Sequence, residues 1–305
     1  MEPTITSTGA TLGAFVNNIN LAKLDQRTWQ IVEYAFHEYS VLIFPNQHLK
    51  PEAQVEFGLR FGEIELLSPP GINRKMQVVP ISNENADGSI AETDKFGAQI
   101  LRGNEGWHTD SSYMPIAAKA SILSAQVIPT KGSQTSWADM RAAYDALDDE
   151  TRKLVETLSA HHSMYYSQAK IGHTVSTGAG YAFHTKGAPL RPLVKTHPVT
   201  GRKALYIGRH AYDIPGLTPE ESEALLKKLV TFACQEPRTY THNWRPGDLV
   251  IWDNRCVLHR ALPYDYNEMR IMQHTRIAGD PMTEFAETVL DTRANAFEPS
   301  TVNYD

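Results

Sequence analysis

Asp248-Leu249-Val250-Ile251-Trp252-Asp253-Asn254-Arg255-Cys256-Val257-Leu258-His259 reads as a buried strand, a turn and then a histidine. Pro246-Gly247 supplies the turn that leads in, and the unbroken apolar run after it is what a buried strand requires. His259 gains meaning from a second stretch far upstream, Gly106-Trp107-His108-Thr109-Asp110-Ser111. On a β-strand residues i and i+2 face the same way, so the His108 imidazole and the Asp110 carboxylate can reach one ion. A lone His-x-Asp is common by chance. With His259 as a distant third ligand it becomes two histidines and one carboxylate on one face, the facial triad of non-haem Fe(II) oxygenases. Structural zinc would want a closed four-ligand shell, usually with thiolates. Cys256 lies near His259 and reads as a small buried hydrophobe.

Around these two stretches the chain alternates short strands with a few helices. Trp29, Val32, Phe36 and Tyr39 form a helical stripe that starts near Asp25. Val41-Leu42-Ile43-Phe44, stopped by Pro45-Asn46, reads as a buried strand, and Pro51 opens a second helix that Gly62 closes. Residues 113–130 mix apolar runs with turns, as strands do. Ala138–Leu147 and Asp149–Leu158 read as a helix pair. Leu190–His197 and Lys203–Ile207 flank Val199-Thr200-Gly201-Arg202 as a hairpin. Thr218-Pro219-Glu220-Glu221 is a capping box, predicting a helix to about Phe232. This pattern fits a closed or sandwiched β core with helical padding, and by itself does not choose between barrel and sandwich.

The 305 residues show no repeat and no dividing linker, so one domain, 1–305, is expected. No apolar stretch approaches the roughly 18 residues of a membrane span, and the polar N-terminus shows no secretory signal. Two cysteines, Cys234 and Cys256, form no disulfide framework, which fits a reducing, cytoplasmic setting. With 29 Lys+Arg against 35 Asp+Glu the net charge is -6, which argues against a nucleic-acid partner. A small-molecule role is the better reading. Of the 12 histidines most are read as structural. His37 lies on the first helix, and His48 and His197 sit beside turns. In His161-His162, adjacent side chains point apart and suit a shared metal poorly. Arg270, eleven residues after His259, opens the apolar run Ile271-Met272. An arginine on the strand after the last ligand can hold a dicarboxylate through a bidentate, charge-assisted pair.

Taken together, Trp107-His108-Thr109-Asp110, Trp252-Asp253-Asn254-Arg255-Cys256 and the His259 to Arg270 spacing resemble the Fe(II)/2-oxoglutarate-dependent dioxygenases that include taurine dioxygenase and the herbicide dioxygenases. The resemblance covers most of the chain, from Thr8-Gly9-Ala10-Thr11-Leu12-Gly13-Ala14 to Arg276-Ile277-Ala278-Gly279. The stretches Ala138–Leu147 and Ile207-Gly208-Arg209-His210-Ala211 look closest to the dichlorprop, or aryloxyalkanoate, branch. The resemblance implies a mainly β fold with peripheral helices around a double-stranded β-helix (jelly-roll) core, and iron at its mouth. It implies 2-oxoglutarate and O2 as cosubstrates, a homo-oligomer, and a small anionic substrate. Matched position by position, Arg270 would hold the far carboxylate of 2-oxoglutarate, Thr135 would add a hydroxyl, and Trp244 would line that pocket. Asn104, Arg209 and His210 fall where relatives contact substrate. The taurine enzyme has a second arginine where this chain has His274, with Arg276 two further on, which speaks against a taurine-like sulfonate.

The reaction so implied hydroxylates a C–H bond while 2-oxoglutarate becomes succinate and CO2. Next to an ether oxygen the product would collapse to a phenol and a keto acid. No side-chain nucleophile or general base is needed, and none is assigned. Two rivals stand beside this reading. A sulfonate or sulfate-ester dioxygenase of the same family differs in which substrate couples to succinate. A non-catalytic β-barrel binding protein would have no need of His108, Asp110, His259 and Arg270 together. A halogenase would need Asp110 replaced to make room for halide.

Overall fold

The computed structural model describes residues 2–68, 74–92, 102–173, 177 and 180–289. Its strands are β1 Thr4–Ser7, β2 Ala14–Asn17, β3 Val41–Phe44, β4 Val79–Ser82, β5 Ala120–Val127, β6 Thr135–Asp139, β7 Ser159–His162 and β8 Ala188–Pro192. After these come β9 Val194–Thr196, β10 Lys203–Leu205, β11 Ala211–Tyr212, β12 Thr239–His242, β13 Leu249–Asp253, β14 Val257–Ala261, β15 Ile271–Ile277 and β16 Thr288–Val289.

The apolar runs of β3 and β13 explain the layering. Successive side chains of a strand point to opposite faces. Val41 and Ile43 of β3, with Val250 and Trp252 of β13, enter one buried cluster. Leu42, Phe44, Leu249 and Ile251 enter another. Both strands are therefore covered on both sides, and neither alternates with polar residues. They pair antiparallel, Leu249 opposite Phe44 and Trp252 opposite Val41, inside a seven-stranded sheet ordered β1-β2-β3-β13-β5-β15-β4. The second cluster lies under the helix Gln26–Tyr39, whose Trp29, Val32, Ala35 and Phe36 are buried. Asp25 caps that helix by accepting from the Thr28 N–H, and Ser40 ends it in the left-handed conformation. The first cluster faces a three-stranded sheet, β12-β6-β14, and the helix Pro219–Ala233, which carries the capping box predicted at Thr218 and Glu221.

Other expectations hold with shifted limits. The second helix spans Pro51–Leu59. The hairpin is β9 and β10, with Lys203 opposite Thr196. Within 113–130 only Ala120–Val127 is a strand. Its upstream part is instead looped and clamped by Arg191, whose guanidinium donates to the carbonyls of Ser112 (2.7 Å), Met114 (2.6 Å) and Glu284 (3.0 Å). Ala138 and Asp139, expected in a helix, complete β6, because the Asp139 side chain caps a helix that begins only at Met140. No helix among the described residues is long and apolar enough to cross a membrane.

Candidate metal centre and its anion pocket

His259 projects from β14, one of the three strands facing the large sheet. His108 meets it through a single antiparallel bridge, N–H to carbonyl in both directions at 3.0 and 2.7 Å. The His-x-Asp triplet is thus not inside a strand, as expected, but at one bridge followed by a turn at Ser111, where φ is +54°. The three side chains still converge. Their ligand atoms lie within 4.8 Å of one another, and His108, Asp110 and His259 are all buried. The two imidazole centroids are 4.1 Å apart.

The donor chemistry suits a divalent metal. His108 Nδ1 lies 2.8 Å from the Gly106 carbonyl, an oxygen that can only accept, so Nδ1 carries the proton and Nε2 presents a lone pair. Burial pushes the His108 pKa down to about 4 and that of His259 well below its usual value, so both rings are neutral, as metal-binding imidazoles must be. Burial opposes the charge on Asp110. The Arg276 guanidinium, the largest opposing influence, outweighs it and holds the carboxyl well below the usual carboxylate range. One Asp110 oxygen accepts from Arg276 Nη2 at 2.8 Å and the other from Ser121 Oγ at 2.6 Å. Ser121 in turn accepts from Asn254 Nδ2 at 2.9 Å. The Asn254 carboxamide oxygen accepts from Trp252 Nε1 (2.9 Å) and the Asp110 N–H (3.3 Å). Glu65, hydrogen-bonded to Ser111 and to the Tyr181 hydroxyl, closes the far side of Arg276. Spacing alone suggested none of these partners; Arg276 was noted only as lying two residues beyond His274, on the same face of β15.

A second group, His37, His197 and Asp253, is close enough to hold an ion, yet the atoms of His197 and Asp253 are already taken, while His37 Nδ1 lacks a partner among the described residues. His197 Nδ1 accepts the Val199 and Thr200 N–H groups, which leaves Nε2–H to donate to Asp253 at 3.0 Å. Asp253 also accepts from Arg255 Nε and Nη2 at 2.8 and 2.6 Å. The guanidinium repels a cation there. This cluster ties β13 to its neighbours, in line with the structural reading of His37 and His197.

Arg270 is buried, with 6% of its surface exposed. Its Nε has no partner and no carboxylate pairs with it among the described residues; the Tyr264 ring lies 5.7 Å from the guanidinium carbon. A buried guanidinium without a counter-charge is strongly disfavoured unless an anion joins it. It faces a cavity lined also by Ile81, Asn104, Ala261, Leu262, Tyr264 and Tyr266. Ala261 is two residues after His259 on β14, so this cavity opens on the metal ligands' side of the strand. Thr135 pairs with Ala261 across β6 and β14, and its Oγ1 accepts from Trp244 Nε1 at 2.9 Å. The buried Trp244 indole can only donate, so the threonine keeps its own proton to donate onward.

His210 is buried with its ring 5.7 Å from that of His108 and 5.0 Å from that of Tyr113, and its Nδ1 is 2.8 Å from Ser167 Oγ. Arg209, half-buried, binds the Trp107 carbonyl through its backbone and the Ser167 carbonyl through Nη2 at 3.0 Å. His274 lies 3.6 Å from Asp110 and stacks on Trp252.

The chain as a whole is similar to known proteins. The family described as "Taurine catabolism dioxygenase TauD, TfdA family" matches residues 4–276. An (S)-phenoxypropionate/alpha-ketoglutarate-dioxygenase of Sphingobium herbicidovorans is 52% identical over 91% of this chain and 95% of its own. One of Delftia acidovorans is 49% identical over 93% and 98%. The crystal structure of AAD-2 in complex with Mn(II) and N-oxalylglycine superimposes with a TM-score of 0.85 at 37% identity, covering 95% of this chain and all of that one.

Proposed function

The chain belongs to the TauD/TfdA family of dioxygenases, and from that premise we propose that it uses iron(II) and 2-oxoglutarate to hydroxylate a small carboxylic acid of the aryloxyalkanoate type. The observation that carries this reading is the buried Arg270, without a counter-charge among the described residues, beside the His108, Asp110 and His259 cluster. One site then offers three metal donors and, on the same face, a cation waiting for a carboxylate. N-oxalylglycine, bound with Mn(II) in AAD-2, is the amide isostere of 2-oxoglutarate and fits this division of labour. The facing sheets support reading the chain, 1–305, as one domain with a double-stranded β-helix core, and free Cys234 and Cys256 suit a cytoplasmic setting.

Iron(II) would be held by His108 Nε2, Asp110 and His259, and with 2-oxoglutarate and O2 it would supply the oxidising power. The chain's own work is placement. Ser121 and Arg276 fix both Asp110 oxygens, so the carboxylate cannot swing away from the imidazoles. Arg270 and the Thr135 hydroxyl, which Trp244 orients, bind the far carboxylate of 2-oxoglutarate; Asn104, read from the resemblance as a substrate contact, lines the Arg270 cavity. Arg209 and His210 hold the substrate's carboxylate so that one C–H bond faces the metal. Burial of the whole cluster keeps water out. Hydroxylation beside an ether oxygen gives a hemiacetal or hemiketal that releases a phenol and a 2-oxo acid.

The rival sulfate-ester or sulfonate reading has less support, since Arg276 is already engaged by Asp110, Ser111 and Glu65. A panel of 2-phenoxypropionate enantiomers, phenoxyacetate, an alkyl sulfate and taurine, read for succinate and product mass, tests the choice. We expect the aryloxyalkanoates to give one product per succinate. Better-coupled turnover of the sulfate or the sulfonate would overturn the assignment.

A further inference from the structure

Gly103 and Gly106 stand in the short segment that leads into His108. Neither has the positive φ for which a chain commonly needs glycine. What forbids a side chain is space. A Cβ on Gly103 would lie 2.6 Å from Arg209 Nη1, 2.8 Å from Gln168 Nε2 and 3.2 Å from Arg209 Nη2. A Cβ on Gly106 would lie 3.1 Å from Arg209 Cδ. The arginine therefore runs along Gly106 and rests its head on Gly103, while Ser167 accepts from it on the other side. Its backbone N–H is bound at 2.8 Å to the carbonyl of Trp107, the residue just before the metal ligand.

We propose that Gly103 is a specificity-determining residue. The room left by its missing side chain seats the Arg209 guanidinium, and this seat sets where the substrate's carboxylate is held relative to His108. The inference rests on the reading of Arg209 as a partner of the substrate anion, and adds what locates it. The seat and the candidate metal ligand lie five positions apart in one short segment, so the distance from anion to metal is built into six consecutive residues. The atoms crowding Gly103 are the ends of long polar side chains. An added methyl can push them aside without breaking the fold, and the guanidinium is what moves. A misplacement of about 1 Å can lower a rate roughly a hundredfold.

The experiment compares the wild-type enzyme with Gly103→Ala and Arg209→Ala, using an aryloxyalkanoate and its neutral amide at saturating 2-oxoglutarate. Succinate and hydroxylated product are measured in the same tube. For Gly103→Ala we expect the KM of the carboxylate to rise roughly tenfold or more and product per succinate to fall. The 2-oxoglutarate requirement and the response to the amide should stay at wild-type values. If Arg209→Ala impairs carboxylate turnover while Gly103→Ala leaves KM and coupling unchanged, the seat is irrelevant and the inference falls. If Arg209→Ala itself behaves as wild type, the reading beneath it falls, and the inference with it. Should circular dichroism show Gly103→Ala unfolded, Gly106→Ala presses on the same side chain more gently and carries the same comparison.

Discussion

At the scale of single residues the site is governed by how one carboxylate is held. Asp110 gives one oxygen to Arg276 and the other to Ser121, with Asn254 behind the serine. Groups that orient a ligand in this way typically contribute roughly 10–100-fold in metal affinity or activity. Ser121→Ala removes a hydroxyl without adding volume and leaves Arg276 in place. We expect it to bind Mn(II) roughly 10–100-fold more weakly while its thermal unfolding midpoint barely moves. Equal Mn(II) titrations of the two proteins would mean that Arg276 alone orients Asp110. The candidate ligands were legible in the sequence as a group that the fold brings together, because His-x-Asp and a distant histidine have a recognisable pattern. Ser121 and Asn254 were not, since a hydroxyl and an amide become partners of a ligand only once β5 and the turn after β13 are folded against it. The hydrogen bond from Trp244 to Thr135 was equally hidden, since it joins residues 109 positions apart.

Elements were read well where their signal is local. The capping box at Thr218, the Pro51 helix start and the Gly201 hairpin each depend on a few adjacent residues, and each appears near its expected place. The segment before β5 failed the same test, because its order comes from Arg191 of β8, a partner distant in the chain. In β7 the adjacent histidines separate by face, as expected. His161 is half-buried, and His162 is buried against Tyr206 with no partner for either ring nitrogen among the described residues. Burial holds the His162 pKa well below its ordinary 6.5. Above that pH both folded and unfolded chains carry it neutral, and it contributes no pH dependence. As pH falls below 6.5 the unfolded chain takes up a proton that the folded chain refuses, so stability is lost towards acid. His162→Leu removes that difference. Between pH 7.5 and 5.5 the wild type should lose about 1.4 kcal/mol more unfolding free energy than the variant. The comparison is of slopes, so any packing change cancels. Parallel urea-denaturation profiles at the two pH values would show that His162 is charged or hydrated in the folded protein.

At the scale of the whole molecule, two sheets and a few helices bring together residues that are 151 positions apart, His108 and His259, and bury them with Arg270. The layering was implicit in the continuous apolar runs of β3 and β13, which required cover on both faces. Which strands would be neighbours was not, because β13 pairs with β3 and β5 across more than a hundred residues. On the proposed reading this assembly binds 2-oxoglutarate on a metal held by His108, Asp110 and His259, with Arg270 supplying the counter-charge. Anaerobic titration of the Fe(II)-loaded protein with 2-oxoglutarate, followed by the visible metal-to-ligand charge-transfer band, tests it most directly. Removing one partner of a buried charge pair is worth about 2–5 kcal/mol, which corresponds to roughly a thirtyfold or larger change in affinity. The wild type should develop the band, Asp110→Ala should not, and Arg270→Ala should require roughly thirty times more 2-oxoglutarate or beyond to reach it. A wild-type protein without the band, or an Arg270→Ala titration that overlays the wild type, would contradict the account.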